Sequence, residues 1–189
     1  LMGRAVVLEP NVPAFHANLA EAYRALGRHE RAAGCCRAAL RLFPDHPEAR
    51  CNLGLALQAL GRHGQAVEQF RAALSLRPDF ALVHSNLGIS LRELRQADAA
   101  LDHFRRAVEL DPTSAPARTN LGQLLLDLGR PEEALPHCRE AVRLQPDWAA
   151  LHHNLGNALR LGHGLRPCPN TMLVEARAAY LEALRLDPN

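Results

Sequence analysis

The chain has 189 residues, 48% of them hydrophobic, with 22 basic and 20 acidic residues for a formal charge of +2, which is enough apolar content for a buried core and rules out a disordered chain. Acidic and basic residues are interleaved, so no basic stripe forms and nucleic acid is not an expected partner; no run of about 18 apolar residues exists, so no membrane span is expected. Aromatics are 4%, Ala, Leu and Arg dominate, and β-branched residues are sparse, so propensity favours helix and argues against a sheet.

Self-similarity organises the whole chain. Pro10, Pro44, Pro78, Pro112 and Pro146 recur every 34 residues. The same step relates Ala32, Ala66, Ala100 and Ala134, the Ala series from Ala5 to Ala141, and five Asn-Leu pairs beginning at Asn18. Residues 1–12 read as the end of a preceding repeat. Repeat one spans 13–46, with two runs of helical periodicity around a turn at Leu26-Gly27. Repeats two (47–80) and three (81–114) follow, the former turning at Leu60-Gly61. Repeat four (115–148) turns at Leu128-Gly129; Pro131 falls at the first position of its second helix, where no N–H is missed, and Pro136 falls deeper, where a bend is expected. Repeat five (149–189) is eight residues longer, with the excess expected in an enlarged turn at 162–170. An array that opens partway through a repeat reads as a piece of a longer chain.

Leu53-Gly54, Leu57, Ala66, Phe70, Ala73 and Pro78, with their counterparts Leu87-Gly88, Leu91, Ala100, Phe104, Ala107 and Pro112, resemble the pattern of the tetratricopeptide repeat family. The resemblance implies an all-α fold, an α-solenoid of antiparallel helical hairpins that stack because one hairpin cannot bury its apolar face alone. It further implies a right-handed superhelix lined inside by the first helices. The departures are His16, Arg50, His84, Arg118 and His152 in the first-helix Trp slot, and Cys36 and Cys138 in the second-helix aromatic slot.

At 100° per residue, Leu53, Gly54 and Leu57 share the packed face of their helix with Arg50, while Glu48, Asn52, Leu55 and Ala59 fall opposite. Asn18, Asn52, Asn86, Asn120 and Asn154 therefore make a ladder on successive first helices. Asn costs a helix interior roughly 0.5 kcal/mol against Ala, so the ladder has either a structural bonding role or a binding one. A carboxamide carries the donor and acceptor that engage a peptide unit. The ladder resembles the asparagine-lined repeats of O-linked N-acetylglucosamine transferases, which implies a peptide-binding role, with Leu55, Leu82 and Ile89 as apolar neighbours. The cations of a carboxylate clamp are missing, since those slots hold Ala14, Glu48, Leu82, Pro116 and Ala150.

No catalytic motif, Gly-rich phosphate loop or zinc-ligand spacing occurs, so no catalytic residue, metal or cofactor is expected. His152-His153, His137-Cys138 and His163 with Cys168 are the closest groupings of ligand types. Five cysteines, Cys35 and Cys36 adjacent among them, form no disulfide framework and fit a reduced, cytoplasmic setting. Lys is absent, a composition that suits a GC-rich bacterial genome. The expected function is a non-catalytic protein–protein interaction module holding an extended peptide in its groove. Two alternatives are the substrate-recruiting arm of a similar glycosyltransferase and a self-assembly scaffold, the latter through Met172, Leu173, Tyr180 and Leu184 on an uncovered last helix.

Overall fold

A computed structural model describes residues 13–163 and 171–187. Among the described residues there are ten α-helices and no strand: α1 (Pro13–Ala25), α2 (His29–Leu42), α3 (Pro47–Ala59), α4 (His63–Leu76), α5 (Ala81–Glu93), α6 (Ala97–Leu110), α7 (Ala115–Asp127), α8 (Pro131–Leu144), α9 (Ala149–His163) and α10 (Thr171–Leu186). The chain forms two compact units, Leu1–His103 and Phe104–Asn189, and the division falls inside α6.

In the first unit α1 packs on α2 and α3 on α4, each second helix then packs on the next first helix, and the first helices α1, α3 and α5 lie side by side. The second unit repeats this scheme with α7 on α8, α9 on α10, α8 on α9 and α7 beside α9. The alanines repeating every 34 residues are core positions: Ala32, Ala66, Ala39 and Ala73 of the first unit, and Ala134 and Ala141 of the second, have at most 1% of their surface exposed. A methyl group is the largest side chain that lets two helices approach at those registers, so the spacing seen in the sequence is a packing requirement.

The hairpin turns share one chemistry. Where Gly61 follows α3 its φ is +72°, its N–H bonds the Gln58 carbonyl at 2.9 Å, and the Arg62 N–H bonds the Leu57 carbonyl at 2.9 Å. This is the Schellman arrangement, which satisfies carbonyls the helix end leaves open. The same pair of bonds closes α1, α5 and α7, but after α5 the left-handed residue is Arg95, with φ +61°, a conformation a side chain disfavours. Pro47 and Pro131 open their helices. α8 runs through Pro136 to Leu144. α9 extends to His163, so Gly162 and His163, expected in the enlarged turn, are helical; Gly162 is buried, and a Cβ there would sit 3.8 Å from Met172 Cε. The rest of that expected turn, 164–170, and Cys168 with it, lies outside the described residues.

One close approach recurs along the array. A Cβ on Gly54 would meet the Phe70 ring at 2.5 Å, one on Gly156 the Tyr180 ring at 2.7 Å, and one on Gly122 the Cys138 Sγ at 3.0 Å. At these three sites the first helix gives up a side chain so that a residue of its partner helix can lie against bare backbone. Repeat one carries a small second-helix residue, Cys36, and there the first helix keeps a methyl group at Ala20, both being 1% exposed.

Candidate peptide-binding groove

The first helices of the first unit enclose an open cavity of about 420 Å³ lined by Asn18, Glu21, His46, Glu48, Cys51, Asn52, Phe80 and Leu82. Its walls follow from helical spacing: Asn18 and Glu21 are three apart on α1, Glu48 and Asn52 four apart on α3, and Leu82 opens α5. Leu82 is 54% exposed, Asn18 and Glu21 are exposed, and Asn52 is half-buried.

Glu48 is the charged anchor of one wall. Its carboxylate accepts from His46 Nδ1 at 3.0 Å and pairs with Arg77 at 2.9 Å. Burial opposes its ionisation, but a backbone hydrogen bond, Arg77 and His46 outweigh burial and hold the carboxyl below the ordinary glutamate range. The Arg77 guanidinium in turn lies 3.5 Å above the Phe80 ring, so one face of that ring is already occupied. Glu21, across the groove, has no ion pair or hydrogen bond of its side chain among the described residues.

Of the expected binding residues, then, Asn18, Asn52 and Leu82 meet in one groove. Leu55 and Ile89 are half-buried and do not line it. Asn86 turns part of its capacity inward, its amide donating to the Leu82 carbonyl at 2.8 Å, and its backbone carbonyl accepts from Gln58 Nε2 at 3.1 Å. The same Gln58 amide reaches Ser90 Oγ at 3.1 Å, which explains why a fully buried serine stands where repeat two has Ala56. In the second unit Asn120 and Asn154 are half-buried. A cavity of about 370 Å³ there is lined by residues of α9 and α10 including His153, Tyr180 and Leu184, and neither asparagine lines it. On α10 Leu173 and Leu184 are exposed, whereas Met172 and Tyr180 are half-buried, with the Tyr180 hydroxyl donating to Asn157 Oδ1 at 2.8 Å.

Four groove residues escaped sequence reasoning. Glu21 was readable, since it follows Asn18 by one turn; Cys51 adjoins Asn52 but shows 2% of its surface; His46 and Phe80 lie in the links between hairpins, where no periodicity points anywhere.

Three residues of the first-helix Trp slot bond the links between hairpins. His84 Nε2 reaches the Pro78 carbonyl at 2.9 Å, Arg118 Nε the Pro112 carbonyl at 2.8 Å, and His152 Nε2 the Pro146 carbonyl at 2.7 Å. Each ties the first helix to the proline that closes the preceding repeat. Among the described residues no cluster of three or more His, Cys, Asp or Glu could hold a metal ion, and no helix is long and apolar enough to cross a membrane. Burial pushes the Cys36 thiol up to about 12 and those of Cys51 and Cys138 up to about 11, so all three are thiols with little thiolate to react.

Two family models, both described as tetratricopeptide repeat, match the chain, one at residues 51–115, 85–149 and 119–162 and the other at 12–79. The chain belongs to the tetratricopeptide repeat family. No curated protein matches it by sequence. Among solved structures it is similar to YrrB, described as a TPR protein with an unusual peptide-binding site, at 22% identity and TM-score 0.74 over 100% of this chain and 93% of that one. It is also similar to PilF of Pseudomonas aeruginosa, at 23% identity and TM-score 0.79 over 92% and 75%, and to MamA of Desulfovibrio magneticus RS-1, at 23% identity and TM-score 0.72 over 92% of each chain. At these identities the likeness speaks for the tetratricopeptide fold.

Proposed function

We propose that this tetratricopeptide repeat chain is a non-catalytic interaction module that holds an extended peptide segment across the first helices of its first unit. The observation that carries the reading is the meeting of Asn18, Asn52 and exposed Leu82 around one open cavity. Two carboxamides supply donor and acceptor to the backbone of a ligand whatever its sequence, and an exposed leucine beside them supplies apolar contact. Asn120 and Asn154 are the register equivalents in the second unit and extend the same role there. A solved TPR protein of similar fold is described as having a peptide-binding site, which favours a peptide over a small molecule as ligand.

The test pairs binding with stability. An extended-peptide library is panned on the parent chain, and the selected peptides are titrated into the Asn18→Ala/Asn52→Ala variant. Two lost hydrogen bonds at about 0.5–1.5 kcal/mol each predict binding weaker by roughly 1–3 kcal/mol, or about five- to 150-fold. Melting temperature should hold or rise slightly, because Ala is the better helix former. Unchanged affinity, or a variant that melts well below the parent, would make these asparagines structural.

A further inference from the structure

We infer that the groove selects a peptide carrying a basic side chain beside an apolar one, with Glu21 receiving the cation and Leu82 the apolar group. This deepens the peptide-binding reading and rests on it.

The electrostatics of the lining carry the inference. Two carboxylates, Glu21 and Glu48, face the cavity, and no arginine is among its lining residues. Glu48 is offset locally by Arg77 and His46, at 2.9 Å and 3.0 Å. Glu21 has no such ion pair among the described residues, although Arg24 stands three residues on along α1, so its carboxylate is the unpaired one on the walls. Its carboxylate is exposed on α1, one turn beyond Asn18, so a ligand backbone bonded to Asn18 brings a neighbouring side chain within reach of it. An acidic ligand would meet like charge on both walls. A basic one gains Coulomb energy from Glu21, modest and screened by salt because that carboxylate is exposed.

The apolar half of the preference comes from Leu82, which leaves 54% of its surface uncovered at the mouth of the groove. Phe80 adds its ring edge, one face being taken by Arg77. The register also shows that the feature is local. Glu21 aligns with Leu55 and Ile89 in the next two repeats and with Gln123 and Asn157 in the last two, so an acid stands at this position in repeat one alone.

The test uses three fluorescent peptides of one length that alternate Leu with Arg, Gln or Glu, titrated into the whole chain at low salt and again at about 0.5 M salt, where the screening length is only a few ångströms. The Leu-Arg peptide is expected to bind at least about fivefold more tightly than the Leu-Gln peptide, and the Leu-Glu peptide more weakly than either, with the differences shrinking in high salt. Glu21→Gln should bring the Arg-to-Gln preference close to one, and Glu21→Arg should reverse it in favour of the Leu-Glu peptide. Equal binding of the Arg and Gln peptides by the parent, or a preference that survives both substitutions, overturns the inference while leaving the peptide groove standing. Failure of all three peptides to bind, or binding indifferent to Asn18→Ala/Asn52→Ala, overturns the groove and the inference together.

Discussion

The groove registers of the first unit carry Asn18, Asn52, Glu21, Glu48 and Leu82; at the same registers of the second unit stand Asn120, Asn154, Gln123, Asn157, Pro116 and Ala150. The carboxamides persist from one unit to the other, while both acids and the bulky apolar residue are confined to the first. Inside, the comparison runs differently. The alanines at the helix crossings do not vary, yet the second-helix residue facing the bare glycine is Phe70 in the first unit, and Cys138 at one site and Tyr180 at another in the second. Close backbone approach is therefore fixed by geometry, whereas both the filling beside it and the chemistry of the groove differ between repeats. On the proposed reading, what the chain recognises is set by a handful of side chains on a frame that tolerates their exchange.

The largest effect should come from emptying the two equivalent core sites. Phe70 is fully buried against Gly54, so Phe70→Ala removes a ring and leaves a cavity, at a cost of about 3–5 kcal/mol. Cys138→Ala removes one sulfur beside Gly122 and should cost roughly 1 kcal/mol. The reverse change sharpens the contrast: Gly54→Ala sets a methyl group 2.5 Å from an enclosed ring, an overpacking worth about 1–3 kcal/mol, while Gly122→Ala meets a single Sγ at 3.0 Å and should cost less. Denaturant midpoints of the four variants read this directly. Equal losses at the two sites would show that the interior is as uniform as the crossings.

A smaller effect of opposite sign is expected at the turns. Gly27, Gly61 and Gly129 hold the left-handed position without strain, and Arg95 holds it with a side chain. Arg95→Gly should stabilise the chain by about 1 kcal/mol, and Gly129→Ala should destabilise it by a similar amount. The Arg95 result is checked by thermal melting; a loss of stability would mean that the arginine side chain contributes more than its backbone strain costs.

How much of this was legible in the sequence depends on whether a residue belongs to a register. The helices begin at Pro13, Pro47, Ala81, Ala115 and Ala149 because the period of 34 is a packing period, and the same period placed Asn18, Asn52 and Leu82 on the exposed side of first helices. Periodicity gives a direction on one helix and says nothing about neighbours. Ile89 and Leu55 share the face of the asparagines, yet both are half-buried and neither lines the cavity. Phe80 and His46 entered through the links, whose path is dictated by the helices on either side. His84 and His152 fill a packing slot with a ring that keeps a polar tip. For His84 and His152 the structure supplies the partner of that tip, the carbonyl of the preceding proline, which no spacing rule would single out.

The smallest effect expected is a pH dependence that separates the units. His103 on α6 lies with its Nδ1 3.0 Å from that of His84; since His84 Nε2–H is committed to Pro78, His103 donates and His84 accepts while both rings are neutral. His137, 34 residues on, faces Arg118 instead, and its buried Nδ1 has no hydrogen-bond partner. Burial lowers the affinity of both rings for a proton, helped by His84 and Arg71 at His103 against an opposing Asp102, and by Arg118 and Arg105 at His137 against an opposing Glu133. A folded-state value below the unfolded one means that the unfolded chain takes up more protons. The stability concerned is present above the unfolded histidine value of about 6.5 and is lost as pH falls through the folded value, a window above that in which carboxylates such as Glu48 titrate. Denaturant midpoints should therefore fall between about pH 7 and pH 5. The His103 ring can take a proton on Nε2 while its Nδ1–H goes on donating to His84, so it charges without losing that bond. Arg118 offers His137 no such acceptor. His137→Gln should accordingly flatten the upper part of the pH profile more than His103→Gln does, and equal flattening, or none, would remove the distinction drawn between these two sites.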